Sequence, residues 1–141
     1  GLYPAQNLDG DIFSDISAAL GGSLATASSV IISKDGTKLF EAPHGTAHDL
    51  YVRYLETEGK EANFNSSALI FAVASALEEL ATREDNAALN DYAARLKAAL
   101  IETVAQGTIT GDLKGKTTSP ETERIVDMHG FLDAIADNLT P

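Results

Sequence analysis

The chain has 141 residues, 44% of them apolar, and its 21 Asp and Glu against 10 Lys and Arg give a formal net charge of −11. This length predicts a single compact domain. The charge excludes non-specific nucleic-acid binding, which needs clustered basic side chains, and favours cationic partners such as divalent metals. No apolar run is long enough for a membrane span. The chain has no cysteine, which is typical of a cytoplasmic protein, and its first residues predict no targeting peptide.

The first third of the chain predicts a helix and then a β hairpin. An apolar residue at every fourth position from Ile12 to Leu20 predicts a helix that begins near Leu8 and ends at Gly21-Gly22. Two runs rich in β-branched residues, 28–33 and 37–42, flank an Asp-Gly turn. Such an arrangement predicts a hairpin.

Helices dominate the rest of the chain. Residues 48–55 fit a short helix or a strand equally well. The segment Ser66–Arg83 is apolar on most faces and predicts a buried helix. Asn86 is a suitable N-cap for a further helix that ends at Gly107, and a last helix is expected over 127–139. Residues 108–122 are expected to form a loop.

These elements predict an α/β fold in which a short hairpin or sheet portion packs against long α-helices. Two strands alone do not make a stable sheet with both faces covered. Two interpretations therefore stay open. Either the edges of the hairpin pair with something else, or the chain is part of a larger α/β domain.

Asp11 and Asp15 are the first candidates for chemistry. On a helix they lie one turn apart on the same face. Two carboxylates held this close repel each other unless a cation lies between them, and Mg²⁺ or Mn²⁺ is bound by one or two carboxylates together with substrate oxygens. The alternative is a solvated acidic start of a helix, which is common for electrostatic reasons alone.

The second candidate is the segment Glu41–Thr46, which directly follows a predicted strand. Glycine beside a histidine and a threonine allows the backbone to approach a ligand closely, which favours a phosphate or a nucleotide. The alternative is a simple turn, since neither of the usual phosphate-loop motifs is present. His44 and His48 lack a third arranged ligand, and with His129 they are expected to be surface or supporting residues.

Several short motifs follow one another along the chain: Asn7–Asp15, Gly22–Ile32, Lys34–Gly36, Glu41–Thr46, Asn65–Ala72, Ile101–Val104 and Gly111–Leu113. In this order they resemble the C-terminal part of isocitrate dehydrogenases, in the branch with the homodimeric, eukaryotic-type enzymes. The resemblance extends from Asn7 to Leu139 and implies that the chain is a C-terminal portion of such an enzyme, with part of its large domain and one helix of its small domain.

The resemblance implies an enzyme of the tricarboxylic acid cycle that oxidatively decarboxylates isocitrate to 2-oxoglutarate with NAD or NADP and a divalent metal. It implies that residues 1–22 form a small-domain helix at the subunit interface. It also implies that residues 23–141 form the C-terminal half of the large α/β domain, with the nucleotide-binding loop.

The resemblance also implies site residues. Asp11 and Asp15 would be ligands of Mg²⁺ or Mn²⁺, which would bind the isocitrate oxygens and stabilise the charge that develops on decarboxylation. The implied cofactor contacts are Glu41 near the ribose, His44, Gly45 and Thr46 along the adenosine, and Asn65 at the adenine. No catalytic residue of the family matches a residue of this chain.

One departure from the family bears on the cofactor. NADP-using members carry an Arg-His pair just before the tyrosine that matches Tyr51, where this chain has Asp49 and Leu50. A carboxylate at Asp49 repels a 2′-phosphate but accepts a hydrogen bond from a free ribose 2′-hydroxyl. We therefore expect NAD in preference to NADP.

The family's substrate-binding Ser and Arg cluster, its catalytic Tyr and Lys and a third metal carboxylate have no counterpart here. The expected partners are the upstream part of the same polypeptide and the second subunit of a homodimer, with isocitrate as substrate and no membrane or nucleic acid. The expected location is the cytoplasm, or the mitochondrial matrix if a transit peptide lies upstream.

A rival hypothesis is that the chain is a self-standing, non-catalytic nucleotide-binding or oligomerisation module. A third hypothesis is that the chain belongs to a related dehydrogenase that acts on another 2-hydroxy acid.

Overall fold

The computed structural model describes residues 4–20, 23–43, 48–60 and 64–139. Within these ranges lie five α-helices and two two-stranded sheets. In chain order they are α1 (Asn7–Leu20), β1 (Ser29–Ile32), β2 (Lys38–Glu41), α2 (His48–Glu56), α3 (Ser67–Arg83), α4 (Ala87–Ala105), β3 (Thr108–Ile109), β4 (Arg124–Ile125) and α5 (Met128–Leu139). The predicted α/β architecture, a hairpin with long helices, is confirmed.

The hydrophobic core lies where α3, α4 and α5 pack together. Its centre is formed by Leu100 of α4 with Phe131 and Ile135 of α5, all at most 3% exposed. The start of α4 is fixed by Asn86, whose side-chain oxygen accepts a hydrogen bond from the amide of Leu89 at 3.0 Å. This cap satisfies one of the unpaired amide groups at the helix start, and the predicted N-cap is confirmed.

Helix α3, which was expected to be buried, is buried on the side that packs against α4 and β2 and exposed on another side. Its buried residues are small, chiefly alanines, whereas Leu69 and Val73 are 57% and 45% exposed. The reason is that α3 packs against α4 and against β2, and these contacts leave a further apolar face uncovered. The apolar surface of α3 is therefore larger than the area that the other described elements cover.

The predicted hairpin is confirmed. β1 and β2 pair antiparallel, with Ser29 opposite Glu41 and Ile31 opposite Leu39. Side chains alternate between the two faces of a strand, and one face, which includes Phe40, lies against α3. Ile31 and Leu39 point to the other face, where they are 52% and 57% exposed. The hairpin therefore presents an uncovered apolar face.

The segment 108–122, which was expected to be a loop, contains one strand of a second sheet. β3 pairs in parallel with β4, with Thr108 opposite Arg124. Gly107 makes this possible: its φ of +86° suits glycine, and a Cβ there would lie 2.7 Å from the backbone oxygen of Thr122. The carbonyl of Gly107 also accepts a hydrogen bond from the amide of Arg124 at 2.7 Å.

Helices α1 and α2 lie outside the core, and neither contains a buried residue. The segment 48–55, for which helix and strand were left open, is helical. The Gly21-Gly22 helix stop lies outside the described residues.

No helix in the described ranges combines the length and the apolar character that crossing a membrane requires.

Candidate metal and nucleotide site

The carboxylate pair lies on α1. Asp11 and Asp15 are both exposed and one helical turn apart, and the backbone oxygen of Asp11 accepts a hydrogen bond from the hydroxyl of Ser14 at 3.0 Å. The helix thus presents both carboxylates to solvent on one face. Oxygen ligands of this kind suit a hard cation such as Mg²⁺.

The two carboxylates do not make a complete metal site. Among the described residues, no three or more histidine or acidic side chains are grouped so that they could hold an ion. The residues nevertheless fit Mg²⁺ or Mn²⁺, because such ions are often held by one or two carboxylates and several oxygens of substrate or water. His48 and His129 are exposed on different helices, α2 and α5.

The predicted nucleotide-binding segment is only partly described. Glu41 is the last residue of β2, and its carboxylate accepts a hydrogen bond from the hydroxyl of Ser29 at 2.9 Å. His44, Gly45 and Thr46 lie outside the described residues. Asp49 is exposed in the first turn of α2, next to the half-buried Leu50. A carboxylate in that position is electrostatically favourable for a helix start.

Asn65 belongs to a hydrogen-bonded group that we call the Asp112 cluster, formed by Ser23, Asn65, Thr110 and Asp112. The Asn65 amide nitrogen and the Ser23 hydroxyl donate to one carboxylate oxygen of Asp112, at 2.8 and 2.6 Å. The Thr110 hydroxyl donates to the other oxygen at 2.6 Å. The side-chain oxygen of Asn65 accepts from the amide of Ser67 at 2.9 Å, at the start of α3. Three distant chain segments therefore meet at one carboxylate.

The hydrogen bonds keep Asp112 ionised. Partial burial raises the pKa of its carboxyl group, but the hydrogen bonds from Asn65, Ser23 and Thr110 lower it by more, so the pKa lies below its ordinary value of 3.8. Each bond stabilises the charged form. Because the pKa is lowered on folding, the resulting stability is present at neutral pH and is lost as the pH falls through the folded-state pKa.

Replacing Asp112 by Asn is expected to lower the free energy of unfolding of the chain by about 1–3 kcal/mol at neutral pH, because one of the two acceptor oxygens becomes an amide nitrogen and at least one donor of the cluster loses its partner. It should also remove part of the loss of stability on acidification below about pH 4. Urea unfolding at several pH values measures both effects. The exposed Asp133 on α5 gives a matched Asp133→Asn control. Equal acid sensitivity of D112N and the unaltered chain would contradict the assignment.

The sequence pattern did not assign a role to Ser23, Thr110 or Asp112. Asp112 contributed only to a family motif, and its partners lie 89, 47 and 2 positions away along the chain. An acidic residue just after a short β-prone run is a weak signal, because nothing local indicates that hydroxyl and amide donors converge on it. Of the predicted site residues, the structure places Asn65 in this cluster and the carboxylate pair on a separate helix.

Comparison with known proteins places the chain among the dehydrogenases. The family model for isocitrate/isopropylmalate dehydrogenase matches residues 2–128. The chain belongs to this family, which confirms the resemblance found in its motifs.

Curated relatives agree with this assignment. The chain is 36% identical over 141 residues to the chloroplastic/mitochondrial isocitrate dehydrogenase [NADP] of Arabidopsis thaliana, a match that covers 98% of the chain and 29% of the relative. It is 36% identical to isocitrate dehydrogenase [NADP] of Solanum tuberosum and 37% identical to isocitrate dehydrogenase [NADP] 1 of Mycobacterium tuberculosis. These matches cover 98% of the chain and 34% and 33% of the relatives. The chain therefore spans about a third of the length of the relatives it matches.

The names of these relatives bear on the expected cofactor. All three carry NADP in their names, so the comparisons do not support the expectation that NAD is preferred. The metal ligands Asp11 and Asp15 and the cofactor contacts remain predictions.

Proposed function

We propose that this chain forms the metal-binding and cofactor-binding C-terminal portion of an isocitrate dehydrogenase, which oxidatively decarboxylates isocitrate to 2-oxoglutarate. Family membership and relatives named as isocitrate dehydrogenases support the reaction. The observation that carries the site assignment is the exposed pair Asp11 and Asp15, one turn apart on α1. Spectroscopic titration of the polypeptide with Mn²⁺, with and without isocitrate, tests it.

In this proposal Asp11 and Asp15 hold Mg²⁺ or Mn²⁺ together with oxygens of isocitrate. When bound, the metal acts as a Lewis acid that polarises the hydroxyl and carboxylate oxygens of the substrate. The contribution of this chain is to hold two negative charges at a fixed separation on a helix. Their mutual repulsion is relieved when a cation binds, which gives the pair its affinity for a divalent ion.

We propose that the nicotinamide dinucleotide lies with its adenosine side along Glu41, His44, Gly45, Thr46 and Asn65. The Asp112 cluster supports this role for Asn65, because it fixes the side chain at both its oxygen and its nitrogen. A side chain held in this way loses little conformational entropy on binding a ligand. The second amide hydrogen of Asn65 is the one suited to contact the base.

We propose further that Asp49 and Leu50 make NAD the preferred cofactor. Asp49 supports this because its exposed carboxylate, in the first turn of α2, adds negative charge where a 2′-phosphate would need positive charge. The NADP in the names of the relatives points the other way, so the cofactor preference of this chain would be a departure from theirs.

The rest of the active site would come from outside the 141 residues. In this proposal the upstream part of the same polypeptide supplies the substrate-binding cluster, and the partner subunit of a homodimer supplies further groups. Uncovered apolar surfaces support such partners: Leu8, Ile12 and Ile16 on one side of α1 are at least 50% exposed, as are Ile31 and Leu39 on the hairpin. Surfaces of this kind are typical of interaction sites.

The isolated 141-residue chain is expected to show no isocitrate oxidation, because it lacks counterparts of the family's catalytic Tyr and Lys. The absorbance of reduced nicotinamide, followed with isocitrate, Mn²⁺ and either cofactor, measures this. The full polypeptide that carries the chain is the positive control. Turnover by the isolated chain would contradict the proposed division of the active site.

A self-standing nucleotide-binding or oligomerisation module is the second candidate function. The uncovered face of the hairpin favours it, because strands with free edges and exposed apolar residues tend to associate with further strands. The intact mass of the natural polypeptide distinguishes the two. A mass near 14.8 kDa would favour the module, and a mass about three times larger would favour the enzyme.

The cellular compartment of the protein is also a proposal. Relatives of this chain include proteins named as cytosolic and as chloroplastic/mitochondrial, so family membership does not fix it. We propose the cytoplasm.

A further inference from the structure

Ser23 lies between the two predicted binding sites. It is the third residue after α1, the helix of Asp11 and Asp15, and a short 3₁₀ turn, Leu24–Thr26, begins directly after it. Helix α1 packs against this turn. The backbone oxygen of Ser23 accepts hydrogen bonds from the amide and the hydroxyl of Thr26, at 3.2 and 2.7 Å. The position of Ser23 is therefore tied to the turn on which the helix with the carboxylate pair rests.

The side chain of Ser23 leads to the predicted cofactor site. Ser23 is only 8% exposed, and its hydroxyl donates to a carboxylate oxygen of Asp112 at 2.6 Å. The amide nitrogen of Asn65 donates to that same oxygen at 2.8 Å, whereas the hydroxyl of Thr110 donates to the other oxygen. Ser23 and Asn65 thus share one acceptor atom, so the placement of one hydrogen bond constrains the other.

Ser23 also gives α1 its main connection to the cofactor side of the described chain. None of the residues of α1 is buried, and the described element against which the helix chiefly packs is the turn 24–26. Elements with few buried contacts open locally at a low free-energy cost. A cation and isocitrate that bind at Asp11 and Asp15 would therefore order α1 together with this turn. A ligand that binds at Asn65 afterwards would meet an ordered cluster and lose less conformational entropy.

We propose that Ser23 is a positioning residue that couples the two sites, so that the divalent metal with isocitrate at α1 strengthens binding of the dinucleotide at Asn65. This inference rests on the proposed function, because it requires the carboxylate pair and Asn65 to be ligand contacts. It adds a physical route between them, through Ser23 and Asp112. Coupling between two sites is commonly worth about 5–150-fold in affinity.

The test measures how tightly the full polypeptide that carries the chain binds a reduced dinucleotide, followed by the fluorescence of NADH or NADPH, whichever binds more tightly. Isocitrate and a reduced cofactor cannot react with each other, because the cofactor already carries the hydride, so affinity is measured without turnover. Saturating Mg²⁺ and isocitrate are expected to tighten this affinity at least about fivefold. In Ser23→Ala the same addition is expected to change it by less than about twofold, because the link to α1 is cut.

Thr110→Val is the matched control, because it also removes one hydroxyl donor of Asp112 but leaves the oxygen shared by Ser23 and Asn65 with both its donors. It should keep the full effect of Mg²⁺ and isocitrate. The melting temperature of each variant shows that it folds. A merely structural role of Ser23 would weaken binding of the dinucleotide alone without changing this effect.

Three results would overturn the route through Ser23. They are an unchanged effect of Mg²⁺ and isocitrate in S23A, an equal loss of the effect in S23A and T110V, and an unaltered polypeptide that binds both ligands without any mutual effect. Failure of the unaltered polypeptide to bind Mg²⁺ with isocitrate, or to bind either dinucleotide, is a different outcome. It would contradict the proposed function itself, and this inference with it.

Discussion

Asp15→Asn in the full polypeptide is expected to raise the dissociation constant for Mn²⁺ about 100-fold and to lower kcat/KM for isocitrate by at least as much. The variant keeps the size of the side chain but removes one of the two charges that hold the cation on α1. Loss of a residue that merely orients a metal ligand already costs roughly 10–100-fold in metal affinity, and loss of a ligand costs more. Asp11→Asn should behave in the same way.

Electron paramagnetic resonance of free Mn²⁺ measures the affinity independently of turnover. Asp9→Asn is the matched control, because it makes the same change of charge on α1, two residues from Asp11 and six from Asp15, on another face of the helix. It should leave the Mn²⁺ affinity within about twofold, since a single exposed charge contributes little in water. Unchanged Mn²⁺ affinity in both D11N and D15N would show that the pair is a solvated start of a helix.

The double variant Asp49→Arg with Leu50→His is expected to shift the ratio of kcat/KM for NADP to that for NAD upward by about 100-fold. The change removes a carboxylate that repels the 2′-phosphate and supplies a guanidinium that binds it. Hydrogen bonds to charged groups contribute about 1.5–3 kcal/mol each, and about 1.4 kcal/mol corresponds to a factor of ten. Initial rates with both cofactors at saturating isocitrate measure the shift.

Glu56→Arg provides the control for this experiment. It makes the same change of net charge at the other end of α2, where Glu56 is exposed. If Asp49 acts locally, E56R should leave the ratio nearly unchanged, because exposed charges more than about 10 Å apart are largely screened at physiological salt. A preference for NADP in the unaltered polypeptide would contradict the role proposed for Asp49 directly.

The elements that local patterns predicted correctly are those with a strong local cause. The hairpin follows from two β-branched runs around Asp35-Gly36, and Gly36 has a positive φ of 83° as such a turn requires. Asn86 was predicted as a cap because its short side chain reaches back to the helix amides, and the structure contains that bond. These features depend on residues a few positions apart, so a single sequence is sufficient to predict them.

The features that were missed depend on distant residues. The parallel pairing of Thr108 with Arg124 involves strands of two residues, which are too short to show a period. The burial of α3 was overestimated because apolar composition shows which faces of a helix could be buried and not which ones are. Leu69 and Val73 are only partly covered in the described chain. Only the packing partners of a helix decide which of its faces are buried.

The same limit applies to the candidate site. The spacing of Asp11 and Asp15 was sufficient to predict a shared helix face, and the structure contains it. The connection of Asn65 to Asp112 was not predictable, because 47 residues separate them. The order of the motifs along the chain was sufficient to indicate the family. It gave each residue a role separately, however, and did not show which of these residues are in contact.

The Asp112 cluster also suggests an order of folding that can be tested by kinetics. Its bond to Ser23 closes a loop of 89 positions, and the chain entropy lost in closing a loop rises with loop length. Contacts within and between α3, α4 and α5 span shorter stretches, so we expect them to form earlier. We therefore expect the cluster to form late, after the helical core has assembled. Its hydrogen bonds should then slow unfolding more than they speed folding, and the surroundings of Asn65 should be completed in that last step.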